Sequence, residues 1–296
     1  MPRIAYVNGR YVPHMSANIH IEDRGFQFAD GVYEVVALMD GKLPDEVGHL
    51  DRLERSLAEL EIPMPMTRRS LKIAMRELVR RNRVIRNGAL YIQVSRGVAA
   101  RDFKFPAVDT RPTLVMTLRN MTFDIAARKA GAKPVITVPD IRWKRRDIKS
   151  TALLAQVLSK QAGVKKGAAE SWMVDDDGFI TEGSSSNAWI VDKKNRLITR
   201  PTANNAILKG VTRSALQALC KREGIELVER AFTPAEAYKA KEAFTSSATA
   251  LIMPVSSIDG HKIGDGKIGP ITDKLYDLYI EYANHPGGKQ EKWNPR

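Results

Sequence analysis

Lys149 stands in the middle of the stretch Lys133 to Gly167, just after the basic run Lys144-Arg145-Arg146. A lysine near other cations and drawn out of water is pressed towards its neutral amine, and that amine is a nucleophile able to condense with a carbonyl. The plain alternative is a solvated basic loop, and this segment alone does not exclude it. Four other features could work with such an amine. Ile207 to Arg213 (ILKGVTR) puts Gly210, Val211 and Thr212 at the start of a helix. Free N–H groups and the positive dipole end make an anion site there, suited to phosphate, although the Walker spacing is missing. Ordinary capping by Thr212 would explain the same residues. Phe244 to Thr249 (FTSSAT) lines small hydroxyls, Ser246 and Ser247 among them, along a strand end where they could bind the same anion. Glu182 is a lone carboxylate before the serines 184–186, placed either to pair with a protonated ring nitrogen or to be a surface hairpin acid. Arg52 falls between apolar positions of His49-Leu50-Asp51-Arg52-Leu53, facing inward either for phosphate or to pair with Asp51 or Glu54. No nucleophile elbow, dinucleotide fingerprint or zinc motif competes with these features.

The elements that must position them read as mixed α/β. Lys-Pro-Val-Ile-Thr-Val (133–138) is a short β-branched strand, and Ser150 to Lys166 sets Leu153, Leu154, Val157 and Leu158 on one helical face. Ser150 or Thr151 is the expected cap and Gly167 the stop. Lys149 is thereby expected at the mouth of a strand–loop–helix unit, where α/β proteins meet ligands. Upstream, Ile4–Val7 and Arg10–Val12 flank an Asn8-Gly9 hairpin turn. Gly31–Met39, Leu90–Val94 and Thr113–Leu118 read as strands, while 45–60 and 67–81 read as amphipathic helices. The loop from Arg96 to Arg111 is long enough to be expected to carry function. Downstream come strands near 171–174, 179–181, 188–191, 197–200, 243–247 and 251–258, with a loop and then a helix over 206–224 and a terminal helix over 271–282. Thr233-Pro-Ala-Glu236 is a capping box. The expected division is a small domain 1–118, a linker 119–133, a larger domain 134–284 and a disordered tail 285–296.

At 296 residues, 43% hydrophobic and 27% charged, the chain can bury one large core or two modest ones. No apolar run approaches the roughly 20 residues of a membrane span, and the N-terminus has no signal-peptide pattern. The single cysteine, Cys220, falls on the apolar face of an expected helix and points to a reducing cytoplasm. The five histidines are scattered and no metal site is expected. A net charge of +13 invites a nucleic-acid reading. Much of it lies on polar helix faces, however, and aromatics do not interleave with the basic runs, so attraction of small anions is the better account.

Taken together, six stretches resemble one family. They are EDRGFQFADGVYEVV (22–36), HLDRL (49–53), DIRWKRRDIKSTALL (140–154), TEGSSSN (181–187), ILKGVTR (207–213) and FTSSAT (244–249). In this order they resemble the fold-type IV pyridoxal-phosphate enzymes, over almost the whole chain to about residue 284. The nearest likeness is to bacterial D-amino-acid aminotransferases, because the serine-rich run replaces the ending more usual in branched-chain aminotransferases. The resemblance implies a two-domain fold with a small N-terminal α/β domain and a larger pseudo-barrel-like domain. It implies pyridoxal 5′-phosphate as cofactor, Lys149 as its Schiff-base lysine and Glu182 as the acid facing the pyridine nitrogen. Arg52, the amides of Val211 and Thr212 beyond Gly210, and Ser246 and Ser247 would form the phosphate cup. Leu208 would pack on the ring with Ser185 and Ser186 beside it. Tyr33 and Arg101 would hold the substrate carboxylate, Arg101 reaching across from the second subunit of a homodimer.

The implied reaction is ping-pong transfer of an amino group from a D-amino acid such as D-alanine to a 2-oxo acid such as 2-oxoglutarate. One departure matters. The family's Arg-x-His carboxylate trap reads Arg101-Asp102-Phe103 here, which removes a hydrogen-bond donor and adds a negative charge. Branched-chain L-amino-acid or (R)-amine transamination, or aminodeoxychorismate lyase chemistry, stays open on the same scaffold. A non-catalytic or nucleic-acid-associated basic protein is the reading from another class.

Overall fold

In a computed structural model the chain is described over residues 3–83 and 86–284. It forms two units, one from residues 3–122 with 148–152 and the other from 123–147 with 153–284. The expected tail, 285–296, lies outside the described residues.

The first unit contains β1 (Ile4–Val7), β2 (Arg10–Pro13), α1 (Arg24–Phe28), β3 (Gly31–Leu38), α2 (Glu46–Glu59), α3 (Arg68–Asn82), β4 (Gly88–Ser95) and β5 (Thr113–Asn120). Its five strands pair antiparallel in the order β2-β1-β5-β4-β3. Asn8 and Gly9 both take positive φ, 45° and 89°, as a tight two-residue hairpin demands. The alternation of β3 sends Val32, Glu34, Val36 and Leu38 inward. There Val32, Val36 and Leu38 share one core with Leu50, Leu53 and Leu57 of α2 and Leu71, Met75 and Leu78 of α3. Each such leucine contributes roughly 1.5–3 kcal/mol by leaving water. Thr67 caps α3 as expected, accepting from the Ser70 amide at 3.2 Å.

β3 ends this sheet, and its outer edge is covered by residues 148–152. The Tyr33 amide donates to the Lys149 carbonyl at 3.0 Å and the Thr151 amide to the Gly31 carbonyl at 2.9 Å, around an antiparallel bridge between Val32 and Ser150. Ile148 enters the core of the same unit. Lys149 is therefore carried on a sheet edge of the first unit rather than at the mouth of a strand–loop–helix unit. Ser150 and Thr151 do not cap the following helix, because the bridge occupies one and the Thr151 hydroxyl donates to the Ala29 carbonyl at 2.9 Å.

The second unit contains α4 (Ile125–Ala130), β6 (Lys133–Pro139), α5 (Leu154–Lys165), β7 (Glu170–Val174), β8 (Ile180–Gly183), β9 (Asn187–Val191), β10 (Leu197–Thr199), α6 (Val211–Glu223), β11 (Leu227–Glu229), α7 (Pro234–Ala237), β12 (Glu242–Ser247), β13 (Leu251–Ile258), β14 (His261–Lys262) and α8 (Pro270–Asn284). Its strands run β11-β10-β9-β12-β13-β6-β7-β8, with β14 beside β13. β13–β6, β6–β7 and β10–β11 are parallel and the other pairs antiparallel. β8 is last in that order and β9 third, yet only Ser184–Ser186 join them, so the sheet curls back on itself. This is the expected pseudo-barrel. Trp172, Ile180, Ile190, Ile198, Phe232 and Val255 fill it, and Thr233 accepts from the Glu236 amide in the expected capping turn.

α5 departs from its expected packing. Its stripe of Leu154, Val157 and Leu158 is 72%, 58% and 54% exposed, while Ser159 and Gly163 are buried. A Cβ on Gly163 would come within 2.6 Å of the Ser171 hydroxyl of β7, which itself donates to the Ser159 carbonyl at 2.7 Å. The helix approaches its sheet through its smallest residues, and the apolar stripe is left outward.

Candidate active site

In the first unit, β3 and β4 put Tyr33 opposite Gln93 and Val35 opposite Tyr91, so Tyr33 and Tyr91 share a sheet face, their ring centroids 5.7 Å apart. The Tyr91 hydroxyl donates to Gln93 at 2.6 Å, and burial, helped by Tyr33, pushes that phenol up to about 12. The amine of Lys149 lies over the Tyr33 ring, 4.1 Å from its centroid. Among the described residues no carboxylate forms an ion pair with that amine. The two arginines expected to press on it by like charge, Arg145 and Arg146, are engaged with Asp147 and Asp140.

Arg52 points inward, as expected, but its partner is neither Asp51 nor Glu54, which bind Arg68. Its Nε and Nη2 donate to the two oxygens of Glu34 at 2.6 and 2.8 Å. His49 Nδ1 meets the second of those oxygens at 2.7 Å. Burial pushes the Glu34 carboxyl up, but Arg52 and then His49 outweigh it and hold the group down to about 2. The carboxylate is ionised at every working pH, so His49 Nδ1 carries the proton and donates.

Arg101 and Phe103 lie exposed on the loop after β4. The Phe28 ring gathers this region, with the guanidinium carbons of Arg24 and Arg101 each 4.7 Å from its centroid and the Phe103 ring at 5.7 Å. Arg24 is buried, donates to Asp30 at 2.8 Å and to the Asp102 carbonyl at 2.7 Å, and so ties the loop to α1.

In the second unit, Glu182 is buried rather than a surface acid, at 4% exposure on β8. Its Oε1 accepts from Arg142 at 2.5 Å and from the Leu208 amide at 3.0 Å, and its Oε2 accepts from Asn187 at 3.0 Å. Complete burial raises its carboxyl pKa, against the pull of Arg142 and the Leu208 amide. Arg142 is itself held by Asp140 at 2.7 Å, to which the Thr181 hydroxyl also donates. Arg142 was not singled out in the sequence, because its partner is forty residues away and nothing in DIRWKRRD separates it from Arg145 or Arg146.

Asn187 also donates to the Leu208 carbonyl at 3.1 Å, which fixes the turn leading to α6. That helix starts at Gly210 with no side-chain cap, so the capping by Thr212 that would have made it ordinary does not occur. A Cβ on Gly210 would lie 2.0 Å from the Asn187 side-chain oxygen, so only glycine fits there. Ser246 accepts from the Trp189 indole at 2.9 Å and Ser247 from the Ala250 amide at 3.2 Å. The hydroxyls of Ser184, Ser185 and Ser186 all bind a second buried carboxylate, Glu170, Ser185 at 3.2 Å and Ser186 at 3.0 Å. Glu170, Glu34, His49 and Tyr91 escaped the sequence reading, since each reads as an ordinary member of its strand or helix.

The fold is that of known aminotransferases. It superposes on the branched-chain amino acid aminotransferase of Escherichia coli with a TM-score of 0.91 and 22% identity, covering 99% of both chains. It also superposes on the branched-chain amino acid aminotransferase of Thermobaculum terrenum in its PLP form, at 0.83 and 24% identity, covering 96% of this chain and 95% of that one. The family model for amino-transferase class IV matches residues 31–258. The D-alanine aminotransferase of Staphylococcus haemolyticus is 37% identical over 277 residues, 94% of this chain and 96% of the relative. The chain belongs to the class IV aminotransferases.

Proposed function

We propose that this aminotransferase binds pyridoxal 5′-phosphate and moves an amino group from a D-amino acid, such as D-alanine, to a 2-oxo acid, such as 2-oxoglutarate, in a ping-pong cycle. The observation that carries the substrate class is the 37% identity to a D-alanine aminotransferase along nearly the whole of both chains. The residues suit the cofactor. Glu182 Oε2 has accepted one hydrogen bond and has room for another donor, such as a protonated ring nitrogen. The uncapped start of α6, kept narrow by Gly210, suits a phosphate.

When bound, the cofactor supplies an aldehyde to join the amine and a ring that accepts the electron pair released at Cα. Lys149 would take the proton from Cα and return it to the carbon that bore the aldehyde, two bonds away, acting as general base and then acid. Glu182, locked by Arg142 and the Leu208 amide, keeps the ring nitrogen protonated. Arg52, the Val211 and Thr212 amides beyond Gly210, and Ser246 and Ser247 hold the phosphate. Leu208 packs on the ring. Ser185 and Ser186 would meet the ring through their backbone, since their hydroxyls face Glu170. Tyr33 and Arg101 hold the substrate carboxylate.

Phe103 packs against Phe28 and offers no hydrogen-bond donor, which favours (R)-amine transamination as the second reading. We assign a homodimer, because Ile21, Phe26, Phe103, Phe105 and Val108 stand exposed in the first unit at 53% or more. The lone buried thiol of Cys220 fits a cytoplasmic setting. A visible spectrum followed by mixing with D-alanine, L-leucine or (R)-phenylethylamine tests the proposal. Bleaching by D-alanine alone is expected, and bleaching only by L-leucine would overturn it.

A further inference from the structure

Glu34, His49 and Arg52 form a buried ionic cluster, of which the proposed reaction accounts only for Arg52. Glu34 lies on the core face of β3 among leucines, with a side chain 0% exposed, and His49 and Arg52 stand one turn apart on α2 at 3% and 10%. Apolar side chains of similar volume would have served the core as well, because a charge set this deep gives up its hydration. What the cluster supplies is geometry. Two parallel hydrogen bonds fix the plane of the Arg52 guanidinium, and the His49 bond to the shared oxygen stops the carboxylate from turning about its own axis.

We propose that His49 is a positioning residue for phosphate recognition: acting through Glu34, it holds Arg52 in the one orientation that receives the phosphate of the cofactor. This rests on the assignment of Arg52 to the phosphate. His49 touches neither cofactor nor substrate, so its removal should weaken recognition of the phosphate and leave recognition of the ring and aldehyde alone. The pressure on Glu34 keeps it ionised, so the clamp is closed throughout the pH range in which the enzyme works.

The test is a ratio of affinities. The full-length protein, stripped of cofactor, is titrated with pyridoxal 5′-phosphate and with pyridoxal, and the visible absorbance gives both dissociation constants. The wild type should prefer the phosphorylated form by a hundredfold or more. His49→Leu should cut that preference at least tenfold with pyridoxal binding unchanged, and His49→Gln, whose amide can still donate to Glu34, should recover most of it. An undiminished preference in His49→Leu, or a parallel loss for both ligands that His49→Gln does not repair, would overturn the inference and leave Arg52 in place. A wild type with no preference would instead remove Arg52 from the phosphate, and the inference with it. Should His49→Leu not fold, the pair His49→Gln and His49→Ser decides on the same ratio, with loss of the preference expected only in the serine variant.

Discussion

Two buried glutamates, each facing an arginine, are driven in opposite directions. Glu34 faces Arg52 and His49, whose pull outweighs the cost of burial, and drops to about 2. Glu182 is raised first by complete burial, and it shares Arg142 with Asp140, whose negative charge adds to the rise. One carboxylate is thereby a permanent anchor, while the other is suited to meeting a proton on a neighbouring ring. In the proposed reaction the amine of Lys149, over the Tyr33 ring, is the third participant. Lys149→Ala is expected to lose the visible absorbance of the bound cofactor and all measurable turnover, as a spectrum and a coupled assay would record. Arg101→Ala is expected to raise KM for D-amino acids tenfold or more while leaving uncharged amines nearly unaffected, since a charged hydrogen bond to carboxylate is worth about 1.5–3 kcal/mol. Equal effects on both substrate types would take Arg101 away from the carboxylate.

At the scale of elements, the uncapped start of α6 depends on a glycine chosen for space. Gly210→Ala must displace Asn187, and with it the hydrogen bonds that Asn187 makes to Glu182 and to the Leu208 carbonyl. Cofactor affinity is expected to fall at least tenfold, measurable by the same titration. The strands around this helix were legible because β-branched runs broken by Asn-Gly or Asp-Gly have few other ways to fold. So were the caps at Thr67 and Thr233, whose chemistry is local. The packing of α5 was not, since periodicity finds an apolar stripe without saying which side meets the sheet. The anchorage of Lys149 also escaped, because it depends on pairing with Tyr33, more than a hundred residues earlier. Of the candidate site, the residues with unusual chemistry for their place, Lys149, Glu182, Gly210 and Arg52, could be read. Those that steady them, Arg142, His49 and Glu34, could not, because their meaning lies in partners far along the chain.

For the molecule as a whole, acid should act through Glu34. Its folded pKa lies below the unfolded value near 4.5, so the stabilisation it gives is complete above that value and is lost as pH falls towards about 2. The contribution is about 3 kcal/mol, and a thermal melt series between pH 6 and 2 should show it. Glu34→Gln should flatten that dependence at a cost of about 3–5 kcal/mol at neutral pH. Light scattering behind a sizing column should give twice the chain mass, and the single-chain mass would overturn the dimer assignment. No helix among the described residues is long and apolar enough to cross a membrane. The short segment 148–152 has one more consequence. By lying along β3 it closes the open side of an otherwise complete sheet, so a polypeptide cut after residue 122 would lack both Lys149 and the strip that seals that side. Its exposed row of amides and carbonyls would invite a strand from another molecule, and such a fragment should aggregate along an edge that the full chain keeps covered.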